Sequence, residues 1–436
     1  LNKQAFLYEN TLSDSLKNHY LRIRLDAPPT LSMGIGTKLY VTHHGNTQYY
    51  QQSLSRGFQS SAEPIAHFGV GAAQTIDSVK VIWPDGRQQL LTEVAADQVL
   101  TLHHSEAMAA EPQKASQPMP LFQEVTEEKN LRVAHEENAF EEFKIEFLLP
   151  HMYSQNGPGI AVGDVNGDQL EDFIVGGSVG TGTQLFVQSQ QGRFAKQDLP
   201  VNFNQEDMGL LLFDKDNDQD LDLYIVSGGN EYQANTPPYQ DRLLVNDGKG
   251  NFTLDEKALP ELQVSGSCVV AADYDQDGDL DLFIGGRIET AQYPLPVSSF
   301  ILRNDEGSFT DVTREVCPAL QKLGLVTSAI WTDFNNDQQI DLLIAGEWMP
   351  LTFFFNNGGT FTNVTEDTGL SSEVGWWNSL TAGDYDNDGD TDYIVGNLGL
   401  NSPYQASGQQ PVTVYAKDFD YNGSMDPILT KYTQGK

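Results

Sequence analysis

"AGDYDNDGDTDYIVGN", residues 382–397, places Asp384, Asp386, Asp388, Asp390 and Asp392 at every second position and then turns apolar. Carboxylates crowded this closely repel one another by roughly 1 kcal/mol per pair even in bulk water. The block is not isolated. It returns as "GDVNGDQLEDFIVGG" from Gly163, "FDKDNDQDLDLYIVSGG" from Phe213, "ADYDQDGDLDLFIGG" from Ala272 and "TDFNNDQQIDLLIAG" from Thr332. Their first aspartates fall at 164, 214, 273, 333 and 384, spaced 50 to 60 residues apart, which marks a tandem array.

Each copy has an aspartate or asparagine at loop positions 1, 3 and 5 and an aspartate at position 9. The sets are Asp164, Asn166, Asp168, Asp172; Asp214, Asp216, Asp218, Asp222; and Asp273, Asp275, Asp277, Asp281. Two more are Asp333, Asn335, Asp337, Asp341 and Asp384, Asp386, Asp388, Asp392. Alternate residues of a tight loop aim short oxygen-bearing side chains at one point, where a hard cation takes roughly six to eight oxygens. Calcium at five sites resolves the repulsion, with a carbonyl at position 7 completing each. An EF-hand would need a glutamate at position 12 and flanking helices. Position 12 is instead Val175, Ile225, Ile284, Ile344 or Val395, inside a short apolar run. The loops therefore lead into buried strands. After each comes a second β run, a turn and a third, as in "RLLVNDGKGNFTLDE" from Arg242. With the strand before the loop this makes four strands per repeat, A to D, with the acidic loop joining A to B. Such units repeated radially make a β-propeller.

The net charge of −36 argues against a nucleic-acid partner, which needs clustered Lys and Arg. It is also lopsided: residues 1–110 hold 8 basic and 9 acidic residues, so nearly all of the negative charge lies beyond them. Two kinds of domain are expected. In the near-neutral part "YLRIRL", "TKLYVTHHG", "TQYYQQSL", "SVKVIWPDG" and "QVLTLHH" alternate apolar and polar residues between turn residues. They predict a small antiparallel β sandwich or barrel. Two cysteines, Cys268 and Cys317, exclude a disulfide scaffold and a four-cysteine zinc site. They read as free thiols, Cys268 in strand A of the third repeat. No run of 18 apolar residues occurs, so no membrane-spanning helix is expected.

At the acidic loops the chain resembles the FG-GAP or VCBS repeat family, whose propellers include those of integrin α chains, over residues 122–436. In the near-neutral part "NHYLRIRL", "GIGTKLYV", "HFGVG", "VKVIWPDGR" and "ADQVLTL" resemble the ASPIC/UnbV domain, here at 19–105, with a linker at 106–121. That module accompanies such propellers in cartilage acidic protein relatives and in bacterial surface proteins. The resemblance implies a calcium-loaded, extracellular or cell-surface, non-catalytic propeller for adhesion or binding of a glycan or protein. Residues 1–18, with "FLYEN", look like the closing strand of a missing upstream blade plus linker. "VTVYAKDFDYNGSMDPILTKYTQGK" looks like strands C and D of the fifth repeat. Family propellers close with seven blades, so the missing blades are expected from the rest of the chain or from another chain, with outer-membrane proteins as candidate partners. A sixth acidic loop, Asp418, Asp420, Asn422 and Asp426, is a further cation candidate that falls out of phase.

In an up-and-down blade the A–B loops sit at one end and the B–C inserts at the other. Tyr232, Tyr239, Tyr293, Tyr404, Trp348, Trp376 and Trp377 are therefore expected on the face opposite the cation loops, near Asn378, Asn397 and Asn401. They suit stacking on sugar rings or gripping a partner's loop; the competing reading is that they pin the inserts down. Two further readings stay open: a subunit of an outer-membrane assembly, and a polysaccharide-acting enzyme using Glu231, Glu289, Glu347, Arg287 or His151. No spacing ties those residues into a known constellation. His43–His44 and His103–His104 cannot chelate as pairs, because neighbours on a strand face opposite ways. His67 is expected to pack inside the small domain.

Overall fold

The computed structural model describes residues 18–55, 60–109, 121–201, 203–399 and 402–433. "FLYEN", most of the linker and Asn401 lie outside the described residues. The chain separates into two compact units, 1–123 and 124–436.

Seven strands build the first unit: β1 (His19–Asp26), β2 (Lys38–His43), β3 (Asn46–Gln51), β4 (Ile65–Gly71), β5 (Thr75–Ile82), β6 (Gln88–Ala95) and β7 (Gln98–His103). They form two sheets, β4-β1-β7 and β3-β2-β5-β6, so the unit is a sandwich. Period-two alternation sends Leu21, Ile23 and Leu25 of β1 inward onto Leu39, Val41, Val79, Val81 and Trp83. The antiparallel expectation needs one correction: β1 and β7 pair in parallel, from Leu21 opposite Gln98 to Asp26 opposite His103. Alternation reports which side chains face the core and carries no information about strand direction. The same alternation corrects His67: Ala66, Phe68 and Val70 face inward, so His67 is exposed and stacks on Tyr20. His103 pairs with Asp26, and His104 with Asp85.

The second unit repeats one plan. Sheet one holds β8 (Ile160–Gly163), β9 (Asp172–Val175), β10 (Gln184–Gln188) and β11 (Phe194–Asp198). Sheet two holds β12 (Glu206–Phe213), β13 (Asp222–Gly228), β14 (Arg242–Val245) and β15 (Thr253–Leu254). Sheet three holds β16 (Ser265–Ala272), β17 (Asp281–Ile288), β18 (Phe300–Asp305) and β19 (Ser308–Asp311). Sheet four holds β20 (Leu325–Thr332), β21 (Asp341–Met349), β22 (Thr352–Asn356) and β23 (Phe361–Asn363). β24 (Gly375–Gly383) and β25 (Asp392–Asn397) continue from it, because β24 also pairs with the far end of β21. Consecutive first strands, β8, β12, β16, β20 and β24, lie side by side.

The second strands β13, β17 and β21 are buried on both faces, which explains why they read as unbroken apolar runs. β25, at the sheet edge, is half-exposed, Ile394 included, so the fifth loop does not lead into a buried strand. Successive residues of one strand feed successive cores. Leu223 and Ile225 pack toward sheet one with Ile174 and Leu185, whereas Tyr224 and Val226 pack toward sheet three with Leu282 and Ile284. Phe283 turns the other way, onto Leu342, Ile344 and Phe354 of sheet four. Stacked blades of this kind share every core between two neighbours.

The C-terminal reading is corrected. β26 (Thr413–Lys417) and β27 (Asp426–Thr430) do not add to the sheet of β24 and β25 but pair only with each other. Lys417 lies opposite Asp426 just as Gly383 lies opposite Asp392, so the hairpin has the A–B register of a sixth repeat. The sixth loop is thus in phase. Asp418 follows Asp384 by only 34 residues because, among the described residues, no strand stands between β25 and β26.

Candidate functional site

All six acidic loops fold the same way. The position-1 aspartate accepts from the backbone N–H of positions 5 and 6: Asp214 from Asp218 and Gln219 at 3.1 and 2.9 Å, Asp333 from Asp337 and Gln338 at 3.1 and 2.9 Å, Asp418 from Asn422 and Gly423 at 3.1 and 3.0 Å. Positions 4 and 6 take left-handed backbone in every loop, for example Asn387 and Gly389. This accounts for the recurrence there of Gly and Asn, together with Gln. Position 9 faces back across the loop and accepts from the N–H of position 2, as Asp281 does from Tyr274 and Asp392 from Tyr385.

These contacts gather the carboxylates. Asp214, Asp216 and Asp218; Asp273, Asp275 and Asp281; Asp384, Asp386 and Asp392; and Asp418, Asp420 and Asp426 each bring three oxygens within 4.8 Å of one another and could hold a metal ion. The loops with Asn166 and Asn335 put a neutral amide at position 3. Burial pushes the position-9 carboxyls up, Asp222 to about 6, Asp281 to about 7 and Asp341 to about 6, with neighbouring aspartates adding to the shift. A divalent cation reverses that balance by favouring the ionised form.

The sequence reading missed a second layer. Asn246, Asn304 and Asn356, at or just beyond the end of each third strand, are buried. Each gives its backbone N–H to the position-9 aspartate of its own loop at 2.8 Å. Each also gives its side-chain N–H to the position-2 carbonyl of the preceding repeat's loop: Val165, Lys215 and Tyr274, at 2.8, 2.7 and 2.8 Å. One asparagine in each of sheets two, three and four therefore ties two successive loops together, while Gln188 stands at the equivalent place in sheet one and gives its backbone N–H to Asp172.

On the opposite face the expected aromatics divide. Trp348, Trp376, Asn397 and Tyr404 line a cavity of about 210 Å³. The two indoles lie 5.5 Å apart and inclined at 45°. Tyr293 is buried beneath them and accepts the Trp348 indole N–H at 2.6 Å, and Tyr239 is buried in the second repeat's insert, its hydroxyl 3.1 Å from that of Thr290 in the third repeat's insert. Tyr232 is half-buried, its carbonyl bonded to Tyr239. Trp377 folds over Gly375 instead of joining the cavity. Asn378 belongs to a different opening of about 270 Å³, with Met208, Ser267 and Thr327 from the equivalent place in three other first strands.

That opening also holds His151, Arg287 and Glu347. Glu347 is buried, ion-paired with Arg287, and accepts the Tyr153 hydroxyl at 2.7 Å. Burial alone would raise its carboxyl, but Arg287, with His151 at 3.3 Å, outweighs burial and holds it at about 2. Glu231 and Glu289 stand elsewhere on this face, so the acidic candidates are not brought together. Cys268 and Cys317 are free thiols, which burial pushes up to about 11 and 12.

The geometry defines an all-β repeat protein whose acidic loops could hold metal and whose far face carries an aromatic cavity. Residues 29–109 match the ASPIC and UnbV family, and residues 214–284 and 333–395 match the FG-GAP-like repeat; the chain carries both modules in that order. FG-GAP repeats commonly bind calcium and are typical of extracellular or surface proteins. No curated protein matches the sequence. Among solved structures, BBS1N in complex with ARL6DN, soaked with lead, aligns at 9% identity over 74% of this chain and 85% of its own, with a TM-score of 0.28. The V. cholerae biofilm matrix protein Bap1 aligns at 9% identity over 94% and 69%, with a TM-score of 0.19. Among the described residues no helix is long and apolar enough to cross a membrane.

Proposed function

We propose that this chain is a calcium-stabilised, extracellular binding propeller that grips a glycan through the face opposite its calcium loops. The observation that carries the reading is the cavity of Trp348, Trp376, Tyr404 and Asn397, about 210 Å³ and open to solvent. Each indole offers a flat apolar face to a sugar ring, and the Asn397 side-chain N–H offers a donor to its hydroxyls, while Oδ1 accepts the Gly399 N–H at 2.8 Å. The chemistry nearby favours binding over turnover: Glu347 is committed to Arg287 and Tyr153 and has no proton to give near neutral pH.

Binding of the calcium-loaded protein to a panel of bacterial and host glycans, followed by calorimetry on any hit, tests this. Trp376→Ala should weaken binding at least tenfold, about 1.4 kcal/mol, with the melting temperature held within a few degrees. If the substitution lowers the melting temperature and leaves glycan affinity intact, the indoles only pin the insert. If no glycan binds but a protein is captured through the same cavity, the ligand class is wrong.

A further inference from the structure

A third group of charges on this face belongs neither to the aspartate loops nor to the aromatic cavity. His135 and Glu137 come from the segment ahead of sheet one, and Glu206 opens β12 in sheet two. One nitrogen or oxygen from each lies within 4.8 Å of the other two. His135 Nε2 and Glu137 Oε1 are 2.7 Å apart. Glu206 is 1% exposed, yet its Oε1 accepts no hydrogen bond; Glu137 Oε2 and Glu231 Oε1, also buried, likewise accept none. Glu231 lies close enough for its charge to act on Glu206. Among the described residues the pair between His135 and Glu137 is the one ion pair these four groups make. A buried carboxylate with an unsatisfied oxygen and two like-charged neighbours is costly unless it takes up a proton or a cation sits among them.

We propose that His135, Glu137 and Glu206, with Glu231 beside them, bind one divalent transition-metal ion, zinc by preference. The imidazole nitrogen separates this site from the six loops, whose side chains offer oxygen alone and suit calcium. An ion takes the place of the proton between His135 and Glu137. The Val179 N–H, 3.3 Å from Glu206 Oε2, orients the buried carboxylate from behind. Because its ligands come from the lead-in segment and from sheet two, the ion staples that segment across sheet one.

The test is zinc titration of the chelator-stripped full chain in calcium at tens of millimolar, well above loop affinities on the order of 10⁻⁴ to 10⁻³ M, with bound metal counted by elemental analysis. The wild type should bind one zinc equivalent that His135→Gln and Glu206→Gln each weaken at least about tenfold. The calcium-dependent rise in melting temperature should be unchanged in both. Cobalt should give a visible absorption spectrum in the wild type that is lost in His135→Gln. His135 is partly exposed, so that variant carries the test if Glu206→Gln does not fold. Absence of zinc binding above the His135→Gln level overturns the proposal. So does a calcium equivalent lost in Glu206→Gln without any zinc bound to the wild type.

Discussion

At the scale of single residues, the reading succeeded where one side chain's role is fixed by its close neighbours. Positions 1, 3, 5 and 9 of each loop are legible because a tight turn with that spacing gathers their side chains, as the contacts of Asp214 with the backbone of positions 5 and 6 and of Asp281 with position 2 do. Asn304 is not legible, since the carbonyl it binds on Lys215 lies 89 residues earlier. Asn304→Ala should destabilise the protein by on the order of 3 kcal/mol, because two buried carbonyls, of Lys215 and Leu280, lose their donor. Urea unfolding in calcium measures this; a change below about 0.5 kcal/mol would show that the asparagine is incidental. Asp241 makes a second prediction. It is buried, accepts from the Tyr224 hydroxyl at 2.7 Å and the Ser227 N–H at 2.8 Å, and burial pushes its carboxyl from 3.8 up to about 7. The folded state therefore holds a proton that the unfolded state has released, so this group's contribution to stability is complete below about pH 4 and is lost as pH rises toward 7. Asp241→Asn should flatten the pH dependence of the melting temperature in that window; an unaltered slope would place the titration elsewhere.

At the scale of elements, the sequence announced the second strands through their apolar runs and hid the strands without a pattern. β6, "QQLLTEVA", runs along a sheet edge with most residues wet, so it shows no alternation. The parallel pairing of β1 with β7 depends on the route the chain takes between them, which no local signal encodes. The C-terminal hairpin is hard to place from sequence because it directly follows the fifth repeat in chain order, while pairing register identifies its loop as one that joins first and second strands. Its loop repeats the hydrogen-bond plan of the other five, so calcium titration should give about six equivalents, and Asp418→Ala should remove one without changing the rest. Five equivalents in the wild type would mean that this loop is an acidic turn. Strand interiors carry a separate expectation: Leu282 is fully buried between sheets two and three, and Leu282→Ala should cost about 2 to 5 kcal/mol by denaturant unfolding.

At the scale of the molecule, the decisive quantity is the distribution of charge between two independently packed units. The first, with 8 basic and 9 acidic residues over 1–110, has little net repulsion; the second carries almost the whole −36 and all the acidic loops. Cations bound to folded loops alone stabilise that state by mass action, with affinities on the order of 10⁻⁴ to 10⁻³ M for an extracellular module. Chelation should therefore act on one unit. Calorimetry of the whole chain should show two transitions, of which the one belonging to residues 124–436 falls on chelation and the other stays. In the chelated protein, raising sodium chloride from about 0.01 to 1 M shortens the screening length from roughly 30 to 3 Å and should recover part of the lost melting temperature. The recovery must be partial, because screening weakens repulsion between carboxylates without tying them to a shared ion. Equal shifts of both transitions with calcium would break the link between the aspartate loops and the stability of the repeat unit.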